Sequence, residues 1–314
     1  MKISVVMATC NGERYLKAQI ESILFQTLPP DEFWVCDDCS DDGTKEILED
    51  YQQRGKLKFV RNAERLGLIG NFKKAVALAS CGHAVALADQ DDIWLPEKLE
   101  KSLAALKSME KDYPALVHTD LRLTDEKGMT LNSSFRNELG QDHFEHNLQS
   151  LLFGNFVTGC TMLMNPVLAA AFRDIPETVL FHDNWIALVA FCFGQVSELK
   201  EALIHYRKHT QNLSIASGTR PRNRYRSLLE QLSIALRGRD NFLAAQFSIA
   251  DQFYAFYKDV LPAPAKLQIE QFLQLADKPY LVKKIAFRRM VRRLALPSSC
   301  GQSGTAHTAS RNQP

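Results

Sequence analysis

Four strand-like runs open the chain: ISVVMAT (3–9), FWVCDD (33–38), KLKFVRN (56–62) and HAVALAD (83–89). Helical patterns fill the gaps between them, and that alternation constrains the fold more than any other feature. ISVVMAT, β-branched and continuous, reads as a strand covered on both faces. Between the first two, ERYLKAQIESILFQT (13–27) sets Leu16, Ile20, Ile23 and Leu24 on one helical face. Further helices are expected at 43–53 and 70–80, and another opens at Pro96, a good first-turn residue. Strands joined by crossover helices make right-handed βαβ units. The chain is therefore expected to be α/β, with a mostly parallel sheet flanked by helices.

After about residue 115 the rhythm changes. ALVHTDLRLTDE reads as a strand running into a turn at Lys127-Gly128, and a polar stretch (132–147) precedes NFVTGCTMLMN. HDNWIALVAFCFG (182–194) reads as a capped buried helix, and QVSELKEALIHYRKH as a final strand pair. The polar, Gly- and Pro-broken LSIASGTRPRNR (213–224) is the expected boundary. This divides the chain into a catalytic-type domain over 1–213, with halves 1–110 and 111–213, and a helical C-terminal region over 214–296. Helical patterns in that region cover 222–237, 240–260, 264–276 and 279–296, and the polar tail 297–314 is expected to be disordered.

Composition narrows the class of partner. The 314 residues carry a formal net charge of +2, which argues against a nucleic-acid partner. Seven scattered Cys, an odd number, suggest reduced thiols rather than a disulfide framework. Met1-Lys2 leads straight into a strand-length run, so no signal peptide is expected. The longest apolar run, WIALVAFCF (185–193), is too short to span a bilayer. A cytoplasmic protein is expected.

In an open parallel sheet, ligands bind at the carboxyl ends of the strands. Here those ends are rich in oxygen: Thr9, Asn11 and Glu13 after the first, Asp37, Asp38, Ser40, Asp41 and Asp42 after the second, Asp89, Asp91 and Asp92 after the fourth. Such a crevice repels itself unless a cation enters it. In extended backbone, Asp89 and Asp91 point the same way, and oxygen-only donors suit Mg²⁺ or Mn²⁺. The alternative is an acidic turn or helix cap ahead of Pro96. Neither a P-loop nor a dinucleotide fingerprint is present, so a diphosphate would need the metal to hold it.

Four blocks in order, SVVMATCNGERYLKAQIESILFQT, CDDCSDDGT, NFKKAVALA and ALADQDDIWLPEKL, resemble the family 2 inverting glycosyltransferases of the GT-A fold. TGCTMLMN, HDNWIALVA and HYRKHTQN resemble the sub-group usually called rhamnosyltransferases and extend the likeness to about residue 213. The resemblance implies a nucleotide-sugar donor held by Thr9, Asn11, Glu13, Asp38 and Asn71, with Asp38 accepting from the pyrimidine N3–H. It implies Asp89, Asp91 and His209 at the metal, Thr158, Gly159, Arg207 and His209 around diphosphate and acceptor, and Asp183 as general base. The acceptor would be a surface polysaccharide or lipid-linked glycan, and the donor dTDP-rhamnose, with a UDP-hexose as the alternative. A non-catalytic nucleotide- or glycan-binding relative is a further alternative. Two departures stand out: Cys39 replaces the usual Gly after the Asp pair, and His182-Asp183 replaces the commoner Glu-Asp.

Other features have plainer readings. Asp183 could simply cap its helix, and Arg207 and His209 could lie in a solvated turn. Cys36 and Cys39 form a C-x-x-C without a second pair, and DHFEH (142–146) offers two His in a polar segment. KPYLVKKIAFRRMVRRLAL (278–296) carries seven Lys or Arg and no acid. Its stripe of Phe287, Met290, Val291 and Leu294 suits either a membrane-surface helix or a helix packed on the domain.

Overall fold

The computed structural model describes residues 1–141, 145–210, 212 and 242–295. The boundary expected at 213–224, the helical pattern at 222–237, the tail 297–314 and most of DHFEH lie outside the described residues. β1 (Ile3–Thr9), β2 (Glu32–Asp37), β3 (Lys58–Arg61) and β4 (Ala84–Asp89) pair in parallel in the order β3-β2-β1-β4. Helices α1 (Glu13–Leu24), α2 (Thr44–Gln53) and α3 (Gly67–Leu78) supply the crossovers.

The sheet separates two cores, and the period of two along each strand assigns its residues to them. Val6, Cys36, Val85 and Leu87 face a core with Ile69, Phe72 and Val76 of α3. Val5, Met7, Val35 and Ala86 face the other, with Leu16 and Ile20 of α1 and Leu48 of α2. β1 and β4 are dry on both faces, which is why their runs show no polar alternation.

Beyond β4 the sheet becomes mixed. β5 (Ile93–Trp94) leads into α4 (Lys98–Lys107), which starts two residues after Pro96 rather than at it. β6 (Ala115–Thr124) and the short hairpin strand β7 (Thr130–Asn132) follow, then α5 (Phe135–Leu139) and α6 (Leu148–Phe153), which lie around the stretch read as merely polar. β8 (Leu163–Met164) runs antiparallel between β4 and β6 and is followed by α7 (Pro166–Ala170). After α8 (His182–Phe193), the expected strand pair is one strand of 13 residues, β9 (Gln195–Arg207). It runs parallel to β6 and antiparallel to β5, and breaks in its register with β6 around Asp120 keep it continuous. The architecture is α/β of the GT-A type, with a helical C-terminal region.

Three helices complete that region: α9 (Ala244–Tyr257), α10 (Ala263–Leu273) and α11 (Tyr280–Arg293). They join the α3-side core, where Trp185 of α8 meets Phe253 of α9 edge to face at 5.1 Å. The stripe Phe287, Met290, Val291 and Leu294 packs into this core, so it is not a membrane-facing surface. The outward face of α11 carries different side chains: Leu281, Val282 and Ile285, then Arg288, Arg289, Arg292 and Arg293. Among the described residues, no helix is long and apolar enough to cross a membrane.

Two backbone positions are set by close fit. Cys39, where a Gly was the usual residue, adopts φ 58°, the left-handed conformation a Gly would take without cost. Gly194 joins α8 to β9, and a Cβ there would lie 1.8 Å from the carbonyl oxygen of Pro114. Gly194→Ala must therefore push β9 away from the start of β6. We expect a loss of about 1–3 kcal/mol in denaturant unfolding; an unchanged midpoint would show that the contact relaxes freely.

Candidate active site

The ends of β1, β2 and β4 open into a cavity of about 560 Å³. Thr9, Asn11, Asp38, Asn71, Asp89 and Asp91 line it from the parallel half, and Thr158, Gly159, Asp183, Tyr206 and His209 from the mixed half. Ten of the residues expected from the sequence thus share one wall or the other: Thr9, Asn11, Asp38, Asn71, Asp89, Asp91, Thr158, Gly159, Asp183 and His209.

The turn after β2 is built by its own acids. Asp37, fully buried, accepts from Thr9 Oγ1 at 3.2 Å and from the Ser40 N–H at 3.2 Å, with Arg61 Nε at 3.5 Å. Asp38 Oδ1 accepts from Asn62 Nδ2 at 2.8 Å and the Leu66 N–H at 2.7 Å, and Oδ2 from the Gly67 N–H at 2.9 Å. A carboxylate has about four acceptor positions, so one on Oδ2 is left for a ligand. Asn71 binds the carbonyls of Cys36 and Thr9 at 3.0 and 3.3 Å and accepts from Asn62 at 3.0 Å. Its side chain ties β1, β2 and the Asp38 turn together. Asn11 takes φ 53° and accepts from the Asp41 N–H at 2.9 Å.

Two expected residues stand outside the cavity lining. Glu13 accepts from the Gly43 N–H at 3.0 Å, holding the start of α2, and borders an adjoining pocket instead. Arg207 is buried, with its guanidinium 4.7 Å over the Tyr15 ring. It donates to the carbonyls of Asp91 at 3.1 Å and Glu126 at 2.8 Å. Arg207 therefore braces the β4–β5 turn, because β9 directs it inward under that turn.

At the acidic centre, His209 Nε2 lies 2.7 Å from Asp91 Oδ2, and Asn212 Nδ2 reaches the same oxygen at 3.4 Å. Asp89 sits with buried Asp92 and the Cys160 thiol, their ligand atoms within 4.8 Å of one another. Burial, and then the charges of Asp91 and Asp183, push the Asp89 carboxyl up to about 7. Asp92 is also raised well above the usual range, by burial and by Asp91 and Asp89, so it belongs to the interior beneath the site rather than to a surface cap. Lys98 is buried below, its ammonium 3.6 Å from the Trp94 ring centroid, and burial lowers it to about 7. Carboxylates and one imidazole, crowded and short of counter-charge, form a donor set that fits Mn²⁺ or Mg²⁺.

Asp183 is the second residue of α8. The cap position is Phe181, which rules out the simple cap reading. Its carboxylate accepts from the Asn184 N–H at 2.6 Å and is also bonded by the Gly159 backbone. Burial outweighs these bonds and raises it to about 6. A second cavity of about 330 Å³ meets the first here, sharing Thr158, Phe181, Asp183 and Tyr206. Its other walls include Phe156, Val179, Leu180, Asn184 and Ile249.

Several lining residues escaped sequence reasoning. Gln90, between the two Asp of the motif, clamps Cys10 with two backbone bonds of 2.9 and 3.0 Å. Gly12 makes room for it, since a Cβ there would lie 2.4 Å from Gln90 Oε1. Tyr15, Arg65, His182 and Asn212 also line the cavity, and only the pairing of distant segments reveals them.

The Asp38 network makes a direct prediction. In Asp38→Asn an amide NH₂ must face one of the N–H donors now bound by the carboxylate. We expect about 1–3 kcal/mol of destabilisation and faster amide exchange over residues 62–67. Wild-type exchange in that segment would remove Asp38 as its anchor.

Comparison with known proteins agrees with this geometry. The family model described as "Glycosyl transferase family 2" matches residues 4–171. A UDP-Glc:alpha-D-GlcNAc-diphosphoundecaprenol beta-1,3-glucosyltransferase of Escherichia coli, WfgD, is 36% identical over 105 residues, which cover 33% of this chain and 40% of that one. The solved structure of S. aureus TarS 1–349 with UDP-GlcNAc superposes with TM-score 0.56 at 20% identity, over 94% of this chain and 89% of that one. The mannosyltransferase PcManGT of Pyrobaculum calidifontis, with GDP-Man and Mn²⁺, gives TM-score 0.51 at 18% identity, over 93% and 84%. With the matched segment spanning more than half of its length and carrying the acidic strand ends described above, the chain belongs to glycosyl transferase family 2 and is a glycosyltransferase.

Proposed function

We propose that this enzyme moves a sugar from a nucleoside-diphosphate donor to a glycan hydroxyl with inversion, using Asp183 as general base. The observation that carries the reading is the place of Asp183, the acid common to both cavities. The large cavity takes the donor, with Asp38 offering its remaining acceptor position to a base N–H. The second takes the acceptor. Its hydroxyl gives its proton to the Asp183 carboxylate as the oxygen attacks the anomeric carbon from the side opposite the nucleotide. The bond from that carbon to the diphosphate oxygen breaks, and no covalent enzyme intermediate is needed.

Asp91, His209 and Asp89 are the residues that would hold Mg²⁺ or Mn²⁺. The ion, when bound, neutralises charge on the departing diphosphate. Thr158 and Gly159 would border donor and acceptor. The sub-group resemblance supports dTDP-rhamnose as donor. The structural likeness to TarS bound to UDP-GlcNAc supports a UDP-sugar, and uracil and thymine present the same N3–H to Asp38. A surface polysaccharide or a lipid-linked glycan would be the acceptor; WfgD, as named, acts on a diphosphoundecaprenol-linked sugar. Leu281, Val282 and Ile285 beside four Arg would let α11 touch an anionic membrane surface at the cytoplasmic face.

A base must be ionised to work, so activity should fall as pH drops through about 6, the value to which burial raises Asp183. We expect kcat/KM to lose about tenfold per pH unit below that point, with a plateau above it. Asp183→Asn should bind donor normally and lose about 10²–10⁴-fold in turnover; wild-type turnover in that variant would sink the assignment. In Asp91→Ala, Mn²⁺ stimulation of nucleotide release from a panel of sugar nucleotides should disappear. Undiminished stimulation would place the ion elsewhere.

A further inference from the structure

His182 precedes Asp183 at the start of α8 and lines the large cavity beside Phe72, Gly159 and Asp183. It is 6% exposed, with its ring 4.3 Å from that of Phe72 and 5.8 Å from that of Phe172. Among the described residues, neither ring nitrogen has a hydrogen-bond partner. Gly159 makes the space, since a Cβ there would lie 2.7 Å from His182 Nε2. Burial holds the imidazole down at about 4, so it is neutral near neutral pH.

An imidazole set among phenylalanines with both nitrogens idle is costly, and an apolar ring would fill the space at less expense. Among the described residues, the lining side chains with a buried polar atom lacking a partner are Tyr15 and His182. Tyr15 lies under Arg207 and beside His209, at the metal end. His182 lies beside the base, where the sugar of a donor would sit.

We infer that His182 reads the transferred sugar, and that this sugar is uncharged. The inference rests on the transferase reading above. One nitrogen of a neutral imidazole donates and the other accepts, which matches hydroxyls that do both. A uronate would bring its carboxylate into a cavity that Asp89, Asp91 and Asp183 already line, where like charges repel.

Calorimetric titration in Mn²⁺ tests this, comparing UDP and dTDP with UDP-glucose, UDP-GlcNAc, UDP-galactose, dTDP-rhamnose and UDP-glucuronate. In the wild type, at least one neutral sugar nucleotide should bind more tightly than its parent diphosphate, and UDP-glucuronate should not. His182→Phe keeps the ring's bulk and removes both nitrogens. It should cut affinity for the preferred sugar nucleotide about tenfold or more while changing that for the free diphosphate less than twofold. His182→Gln, whose amide also donates and accepts, should recover part of the loss. Wild-type discrimination in His182→Phe would overturn the inference, as would parallel loss of the diphosphate or a preference for the uronate. Turnover loss in Asp183→Asn checks the transferase reading separately, and a wild type that binds none of these compounds overturns both.

Discussion

Everything in this site depends on keeping several carboxylates together where they repel. Asp89 ends one strand, Asp91 lies in the turn after it, Asp183 begins a helix from the other half, and their mutual repulsion contributes to the raised Asp89 carboxyl. The chain offsets the repulsion in three ways. Asp38 is met by three N–H donors, Asp91 by His209 and Asn212, and Asp183 by backbone amides. What is left is a negative field at the strand ends, and a divalent cation with a diphosphate is a chemically sensible thing to put there.

The parallel half of the fold could be read in the sequence because β1 and β4 are dry on both sides. Val5 and Val6 enter different cores, so neither needs to be polar. The mixed half was harder. β9 carries charges such as Glu198, Lys200 and Glu201 along its length, which breaks the apolar signal and suggested two strands where there is one. On α11, periodicity showed an apolar stripe but not which way it faced. Phe287 and Met290 turn inward because Phe153 and the α9–α10 pair offer them a surface.

The same limit applies to the site. Asp89 and Asp91 are legible as acids at a strand end, but not as two residues of one extended chain: β4 ends at Asp89, Asp91 lies in the turn after it, and the acid grouped with Asp89 within 4.8 Å is Asp92. That His209 would meet Asp91, from 118 positions away, came only from family resemblance. Arg207, which the resemblance set near diphosphate and acceptor, is turned by β9 onto Tyr15 and two carbonyls. Gln90 and Lys98 were invisible for a different reason. Their roles arise from burial against segments distant in sequence, and no local spacing records that.

The wall common to the two cavities has a practical meaning. Thr158, Phe181, Asp183 and Tyr206 touch both chambers, while the second is otherwise framed by residues such as Leu139 of α5 and Ile249 and Gln252 of α9. Those helices play no part in the turns at the ends of β1, β2 and β4. The scaffold is thus divided in the manner of an interchangeable tool: a fixed handle on the parallel sheet and a replaceable jaw on the helical side. Relatives could diversify the jaw by drift in α5 and α9 without rebuilding the handle.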